Sequence, residues 1–413
     1  MRTTMKTADP ELMRAINRFH VMDTIRREGP IARVEICDLT ELSATTVSAI
    51  TAALLEDGLV IPRALGSLRE TGSDLARGRP RVLLELNPQA AFVVGVKLTP
   101  DHITVATTDF CAKPQATLTL PIRISRQPVS VIADLVEDGV QRCVSDAGIG
   151  MEKVAGLCVG LPGRIEQTTG LCQSSPIFGE TNVPFAAALQ QRLGVPTVIE
   201  SDVNLVAMAE SWFGEARGMP DFLVVSLEHS IGFSIMYRGE LYRGANGLAP
   251  DLGELLVSGP SAEAPQTRLG AIASEAAIIA QAQAVLNGVG HGTVFRAGRG
   301  MAAVVAAAQA GDPHVIAILQ AAGEALGFAI ANLVALFAPR MVVLAGEAIG
   351  DGGVLLDALR GAVTRLLPQG HAPIPELAVH RWSEDSWARG AAALTLRDLY
   401  GAPWNTTGPA RAR

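Results

Sequence analysis

Aromatic side chains are scarce in this sequence: Phe, Trp and Tyr supply 4% of its 413 residues. Ala, Val and Leu must therefore fill any core, and a hydrophobic content of 48% supplies enough of them to exclude a disordered chain. Cysteine is sparse too. Cys37, Cys111, Cys143, Cys158 and Cys172 include no C-x-x-C pair, and most sit among apolar neighbours, as in Gly-Leu-Cys-Val-Gly around Cys158. They read as buried free thiols in a reducing compartment. No secretory h-region opens the chain. The most apolar stretch, Ala325 to Pro339, lies between Glu324 and Arg340 and contains Asn332. It falls short of the roughly 20 residues a spanning helix needs, so a buried helix, no membrane partner and a cytoplasmic location are predicted.

A surplus of positive charge is also missing. The formal net charge is −7, yet residues 1–81 hold 12 Lys+Arg against 11 Asp+Glu, and the remainder holds 22 against 30. The acidic surplus lies wholly in the larger part. That excludes the body as a polyanion-binding surface and leaves a small N-terminal DNA-reading segment open.

What is present begins with helical spacing. Leu12, Ile16, Phe19 and Ile25 predict a helix over 11–27, stopped by Gly29-Pro30. A short helix follows at about 32–39. Ser43 suits the cap of another, which runs to about Asp57 and stops at Gly58. Leu59-Val60-Ile61 and Arg81–Leu86 read as strands around a polar loop, 65–80. Three helices and a two-stranded wing make residues 1–86 a winged helix-turn-helix DNA-binding domain. Ile36, Leu39, Leu42, Val47, Ile50 and Leu54 are expected to share its core. Opposite them, Ala44, Thr45, Ser48, Ala49 and Ala52 are small enough to let the helix enter a major groove closely. The hydroxyls of Thr45, Thr46 and Ser48 can reach base edges or phosphates. This helix has no Arg, Lys, Asn or Gln; positive charge sits in and beside the wing, at Arg63, Arg69, Arg77, Arg79 and Arg81. The candidate DNA contacts are Ser43, Ala44, Thr45, Thr46, Ser48, Ala49, Arg77 and Arg79. Each wing arginine reads equally well as a solvated loop charge.

The next block is a three-strand meander, 91–98, 102–108 and 115–124. Helix 129–146, strand 153–159, helix 184–193, strand 196–200 and helix 203–214 follow. A second meander, 222–227, 232–237 and 240–243, leads into Ala-rich helices at about 273–287, 299–309 and 313–338, then strand 340–344. Asp312 and Pro313 start the last helix well. This order predicts two lobes, each a mixed sheet flanked by helices, in an α/β actin-like body of the ribonuclease-H-like, hexokinase type. The expected division is 87–207, completed by 384–400, and 208–383, which carries oligomerisation helices. Ligands of such folds bind between the lobes.

Six segments, "LSATTVSAI", "RGRP", "GLCVGLPGRIEQTTG", "VIESDVNLVAMAESWFG", "GELYRGANGLAPDLGE" and "RMVVLAGEAIG", together resemble the ROK family (repressors, open reading frames and kinases). The resemblance covers nearly the whole chain. It implies a homodimer or homotetramer that either phosphorylates sugars or represses sugar-utilisation genes.

Departures from the kinase pattern decide between these activities. The family's Asp-x-Gly-Gly-Thr stretch is Lys97-Leu98-Thr99-Pro100-Asp101 here, and its Leu-Gly-Thr-Gly-Ile-Gly stretch is Leu227-Glu228-His229-Ser230-Ile231-Gly232. Backbone N–H groups must approach phosphate closely at such turns, and proline has none. The family's zinc-ligand positions fall on Glu254, Ser261, Glu263 and Arg268, which supply neither thiolate nor imidazole. A sugar-contacting acid aligns with Gly270. The family's Asn-Asp, whose Asp is the general base, is Ser201-Asp202, and its sugar-contacting Glu is the shorter Asp251. Asp202 also reads as a helix N-cap, and His229 as a plain turn residue.

The resemblance therefore implies a regulator that is not an enzyme, without cofactor or metal. Its partners are a double-stranded DNA operator and a sugar effector held by Ser201, Asp202, Asp251 and Glu254. Two alternatives stand beside it: a sugar kinase with a DNA-binding head, and a ligand-independent regulator controlled by a protein partner.

Overall fold

The computed structural model describes residues 10–63, 82–244, 247–257, 267–288, 300–346, 349, 353–367, 374–380 and 384–401. The chain opens with α1 (Pro10–Glu28), β1 (Ile31–Ala32), α2 (Arg33–Thr40), α3 (Ala44–Glu56), β2 (Val60–Arg63) and β3 (Leu83–Leu86). β3 is the middle of a three-stranded antiparallel sheet, because Ile31 and Ala32 pair with Leu84 and Leu83 on the side away from β2. The expected wing thus gains a third strand. Ile36, Val47, Leu54 and Leu84 are fully buried beneath it. Leu39, expected in this core, is 60% exposed. The inward stripe of α2 runs through Arg33, Ile36, Cys37 and Thr40 instead, which turns Leu39 to solvent.

The first lobe adds β4 (Phe92–Leu98), β5 (His102–Asp109), β6 (Pro114–Pro121), α4 (Val129–Asp146), β7 (Val154–Leu161), β8 (Arg164–Glu166), β9 (Leu171–Ser174), α5 (Phe185–Leu193), β10 (Thr197–Ser201) and α6 (Asp202–Phe213). Its sheet runs β10-β7-β4-β5-β6, parallel across the first three strands and antiparallel across the meander. The second lobe repeats the plan. β11 (Phe222–Leu227), β12 (Ile231–Tyr237) and β13 (Glu240–Leu241) form the meander, and β14 (Leu256–Val257) pairs with β15 (Thr267–Arg268). Then come α7 (Leu269–Ala273), α8 (Glu275–Gly288), α9 (Met301–Gln309), α10 (Pro313–Phe337), β16 (Met341–Ala345), α11 (Val354–Leu366), β17 (Glu376–Val379) and α12 (Glu384–Leu399). The second sheet runs β13-β12-β11-β16-β17.

Glycines let two helix pairs in the body approach backbone to backbone. By length and composition α10 could cross a membrane, but half of its apolar window is buried. Gly323 brings it against α11 so closely that an added Cβ would lie 2.3 Å from the Leu355 carbonyl oxygen. α12 returns to cover the first sheet and packs along α6. A Cβ on Gly390 would lie 2.0 Å from the Leu205 carbonyl oxygen, so the two helix backbones touch there.

Candidate functional site

A cleft of about 670 Å³ opens between the lobes, and Ser201, Asp202, Asp251 and Glu254 all line it. Each arrives on a different piece of local structure. Ser201 ends β10 with extended backbone and caps α6. Asp202 is the first residue of α6 rather than its cap, and its Oδ1 accepts the Val203 N–H at 2.8 Å. Asp251 precedes a short 3-10 turn, Leu252–Glu254. The β8–β9 hairpin supplies Arg164, Ile165 and Ser174 to the wall, and the β11–β12 turn adds His229 and Ser230. Carboxylates, hydroxyls and an apolar floor of Ile165, Val203 and Phe233 suit a polyhydroxylated ligand with apolar ring faces.

Lys97, Asp202 and Glu228, each named in the sequence, come together as a charge cluster at the cleft that the sequence does not reveal. Lys97 places its ammonium 4.0 Å from the centre of the Trp387 ring. Burial pushes the Asp202 carboxyl up, against the pull of its hydrogen bond from Val203 and of the Lys97 charge. Burial likewise pushes Glu228 up to about 7, with Lys97 lowering it and Asp202 raising it. The turns that would cradle phosphate do not fit that group. The Thr99 N–H is spent on the His102 carbonyl at 3.0 Å, Pro100 has no N–H, and the Glu228 N–H is spent on the Ser230 carbonyl at 3.1 Å.

Beside the cleft floor runs a buried network that the sequence reading missed, although Glu200, Asn204 and Arg243 lie in the family-like segments. Glu200, 1% exposed, accepts the Ser201 N–H at 2.8 Å and Asn204 Nδ2 at 2.9 Å on Oε1. Arg243 donates to its Oε2 from Nε at 2.9 Å and from Nη2 at 2.7 Å. Ser234 donates from Oγ to Asn204 Oδ1 at 2.6 Å. Strand β10, helix α6 and the second sheet are thereby joined. An acidic residue just before a Ser-Asp pair reads as another surface carboxylate until the fold buries it against an arginine 43 residues away.

The zinc-like positions are split by what they do. Glu254 and Arg268 form an ion pair across the base of the β14–β15 ribbon. A guanidinium at a ligand position repels a cation, so a zinc site does not fit here. Ser261 and Glu263 lie outside the described residues.

In the head, Ser43, Ala44, Thr45, Ser48 and Ala49 are exposed and Thr46 is half-buried. Ser43 Oγ accepts the Thr46 N–H at 3.1 Å and lies 2.8 Å from the Thr46 hydroxyl, so these two hydroxyls start the helix. α2 is tied to α3 by Arg33 Nε, which donates to Thr51 Oγ1 at 2.9 Å. Arg77 and Arg79 lie outside the described residues.

A family model described as the ROK family matches residues 93–398. The chain is 26% identical over 407 residues to the xylose repressor of Caldicellulosiruptor bescii, covering 95% of this chain and 98% of that one. It is 25% identical over 393 residues to the DNA-binding transcriptional dual regulator NagC of Escherichia coli K12, covering 94% of each. A crystal structure of a ROK family transcriptional regulator, described as a homolog of the E. coli MLC protein, superposes with a TM-score of 0.76 at 22% identity, covering 94% of this chain and 97% of that one.

Proposed function

The chain belongs to the ROK family, and we propose that it is a DNA-binding transcriptional regulator, a repressor of carbohydrate-utilisation genes that is not an enzyme. One observation carries this reading. An exposed face of small, hydroxyl-bearing residues on α3 is joined to a kinase-like body in whose phosphate turns the Thr99 and Glu228 amides bond within the turn and Pro100 has none. Repressor relatives spanning almost the full chain support it. In this reading residues 1–86 are the DNA-binding head, with Ser43, Ala44, Thr45, Thr46, Ser48, Ala49, Arg77 and Arg79 as its contacts. Residues 87–207 with 384–400 form the first lobe, and 208–383 the second with its oligomerisation helices. The chain acts in the cytoplasm as a homodimer or homotetramer. A sugar or sugar derivative occupies the cleft against Ser201, Asp202, Asp251 and Glu254.

A dimeric head predicts a palindromic operator with half-sites about 34–36 Å apart, or a multiple of that spacing. An electrophoretic shift with the protein's own promoter region tests this. A salt-sensitive complex that outcompetes unrelated DNA is expected, and its absence sinks the proposal.

A further inference from the structure

The cleft and the DNA-reading head lie at opposite ends of the same two helices. α6 begins in the cleft wall at Asp202 and ends, about 18 Å further on, at Trp212 and Phe213. There Arg26 of α1 sets its guanidinium 4.0 Å from the centre of the Trp212 ring. Asp23 accepts from Arg26 Nε at 2.8 Å, and Arg217, just past α6, donates to the Arg27 carbonyl at 2.8 Å. α12 runs the same way. Near its start Trp387 lies against the Lys97 ammonium, the cation that acts on Asp202. Just beyond its end Tyr400 stacks on Trp212, with ring centres 5.8 Å apart and planes 10° apart, and donates to the Phe110 carbonyl at 2.6 Å.

Between these ends the helices are locked together. Gly390 meets Leu205 backbone to backbone, and Arg389 lies 4.0 Å from the Phe213 ring centre. α6 is buried from Val203 through Glu210 and again at Trp212. A single apolar cluster contains Phe19, Met22 and Ile25 of the head together with Trp212 and Tyr400 of the body. A densely packed pair of this kind shifts as a unit rather than deforming along its length.

We propose that α6 and α12 form a strut coupling the cleft to the head, with Arg26, Trp212 and Tyr400 as the positioning residues that set the head's orientation. The proposal rests on the reading of the head as a DNA binder and of the cleft as an effector site. The strut itself is testable without either ligand, by hydrogen exchange on the full-length protein. Lys97→Met removes the cation at the cleft end; Asp251→Asn alters the cleft wall away from the strut. Lys97→Met is expected to change exchange across residues 19–28 by about threefold or more, and Asp251→Asn to leave it unchanged. In an Arg26→Gln background, Lys97→Met is expected to add nothing. A head indifferent to Lys97→Met, or equally responsive to Asp251→Asn, overturns the proposal. Where Lys97→Met folds poorly, Asp202→Asn at the same end carries the same expectation and the same refutation.

Affinity for the promoter fragment gives a second arm. The effects of Lys97→Met and Arg26→Gln are expected to depart from additivity by more than about threefold, beyond the scatter of independent sites this far apart. Additive effects count against the strut. A protein that forms no promoter complex at all sinks the DNA-binding reading, and the exchange arm still decides the strut.

Discussion

Glu228 is the side chain whose protonation most directly marks the altered phosphate turn. Burial raises its carboxyl from 4.5 to about 7. A raised carboxyl in the folded state stabilises the fold fully below about 4.5 and loses that contribution as the pH rises through about 7. Glu228→Gln should therefore gain on the wild type between pH 5 and pH 8, by on the order of 2 kcal/mol. Calorimetric melting across that range checks it, and parallel Tm curves would remove the claim. Arg243 makes a contrasting case. Its loss leaves the Glu200 carboxylate buried with, among the described residues, the Ser201 amide and Asn204 as its remaining donors. Arg243→Met should cost about 3–5 kcal/mol in urea unfolding, and adding Glu200→Gln should recover part of it. An Arg243→Met protein as stable as the wild type would show that the network does not join the lobes.

At the scale of elements, α3 separates stability from recognition. Ser43→Ala removes the cap on Thr46 and should cost about 1 kcal/mol. Thr45→Ala and Ser48→Ala should leave unfolding within about 0.5 kcal/mol yet weaken the promoter complex, as read by fluorescence anisotropy. If promoter affinity survives both changes, α3 is not the reading helix. Gly390→Ala forces a Cβ into the Leu205 carbonyl and should cost about 1–3 kcal/mol through overpacking. Long elements with a period were legible from the residues alone: α1, α3, α4 and α10 follow apolar spacing and caps that the sequence displays. Several short ones were not. The β8–β9 hairpin that lines the cleft has no apolar run, β1 is two residues long, and β17 is four. Leu39 defeated the expected core because an eight-residue helix leaves the choice of inward face to tertiary packing. Of the site, the four candidates Ser201, Asp202, Asp251 and Glu254 could be named in advance, since each sits in a family motif. Glu200 and Arg243 could not, because their pairing depends on contacts far apart in sequence.

For the molecule as a whole, two lobes follow one plan and the head shares an apolar cluster with the body; on the proposed reading the chain senses at one place and acts at another. Mg-ATP should neither raise its melting temperature nor be consumed over a panel of sugars, because the Thr99 and Glu228 amides of the phosphate turns are already taken and Pro100 has none. A clear ATP-dependent shift would restore the kinase reading. Sugars alone should raise the melting temperature if the cleft holds the effector.

The ion pair between Glu254 and Arg268 reaches beyond stability. Structural zinc contributes about 10–16 kcal/mol in the small domains where it has been measured, whereas an exposed ion pair contributes about 0–1 kcal/mol. With an arginine at one ligand position, a chelator should leave the melting temperature unchanged, and a drop on chelation would restore a metal site. With the melting temperature unchanged, the gene control this regulator exerts would not depend on the cell's zinc supply.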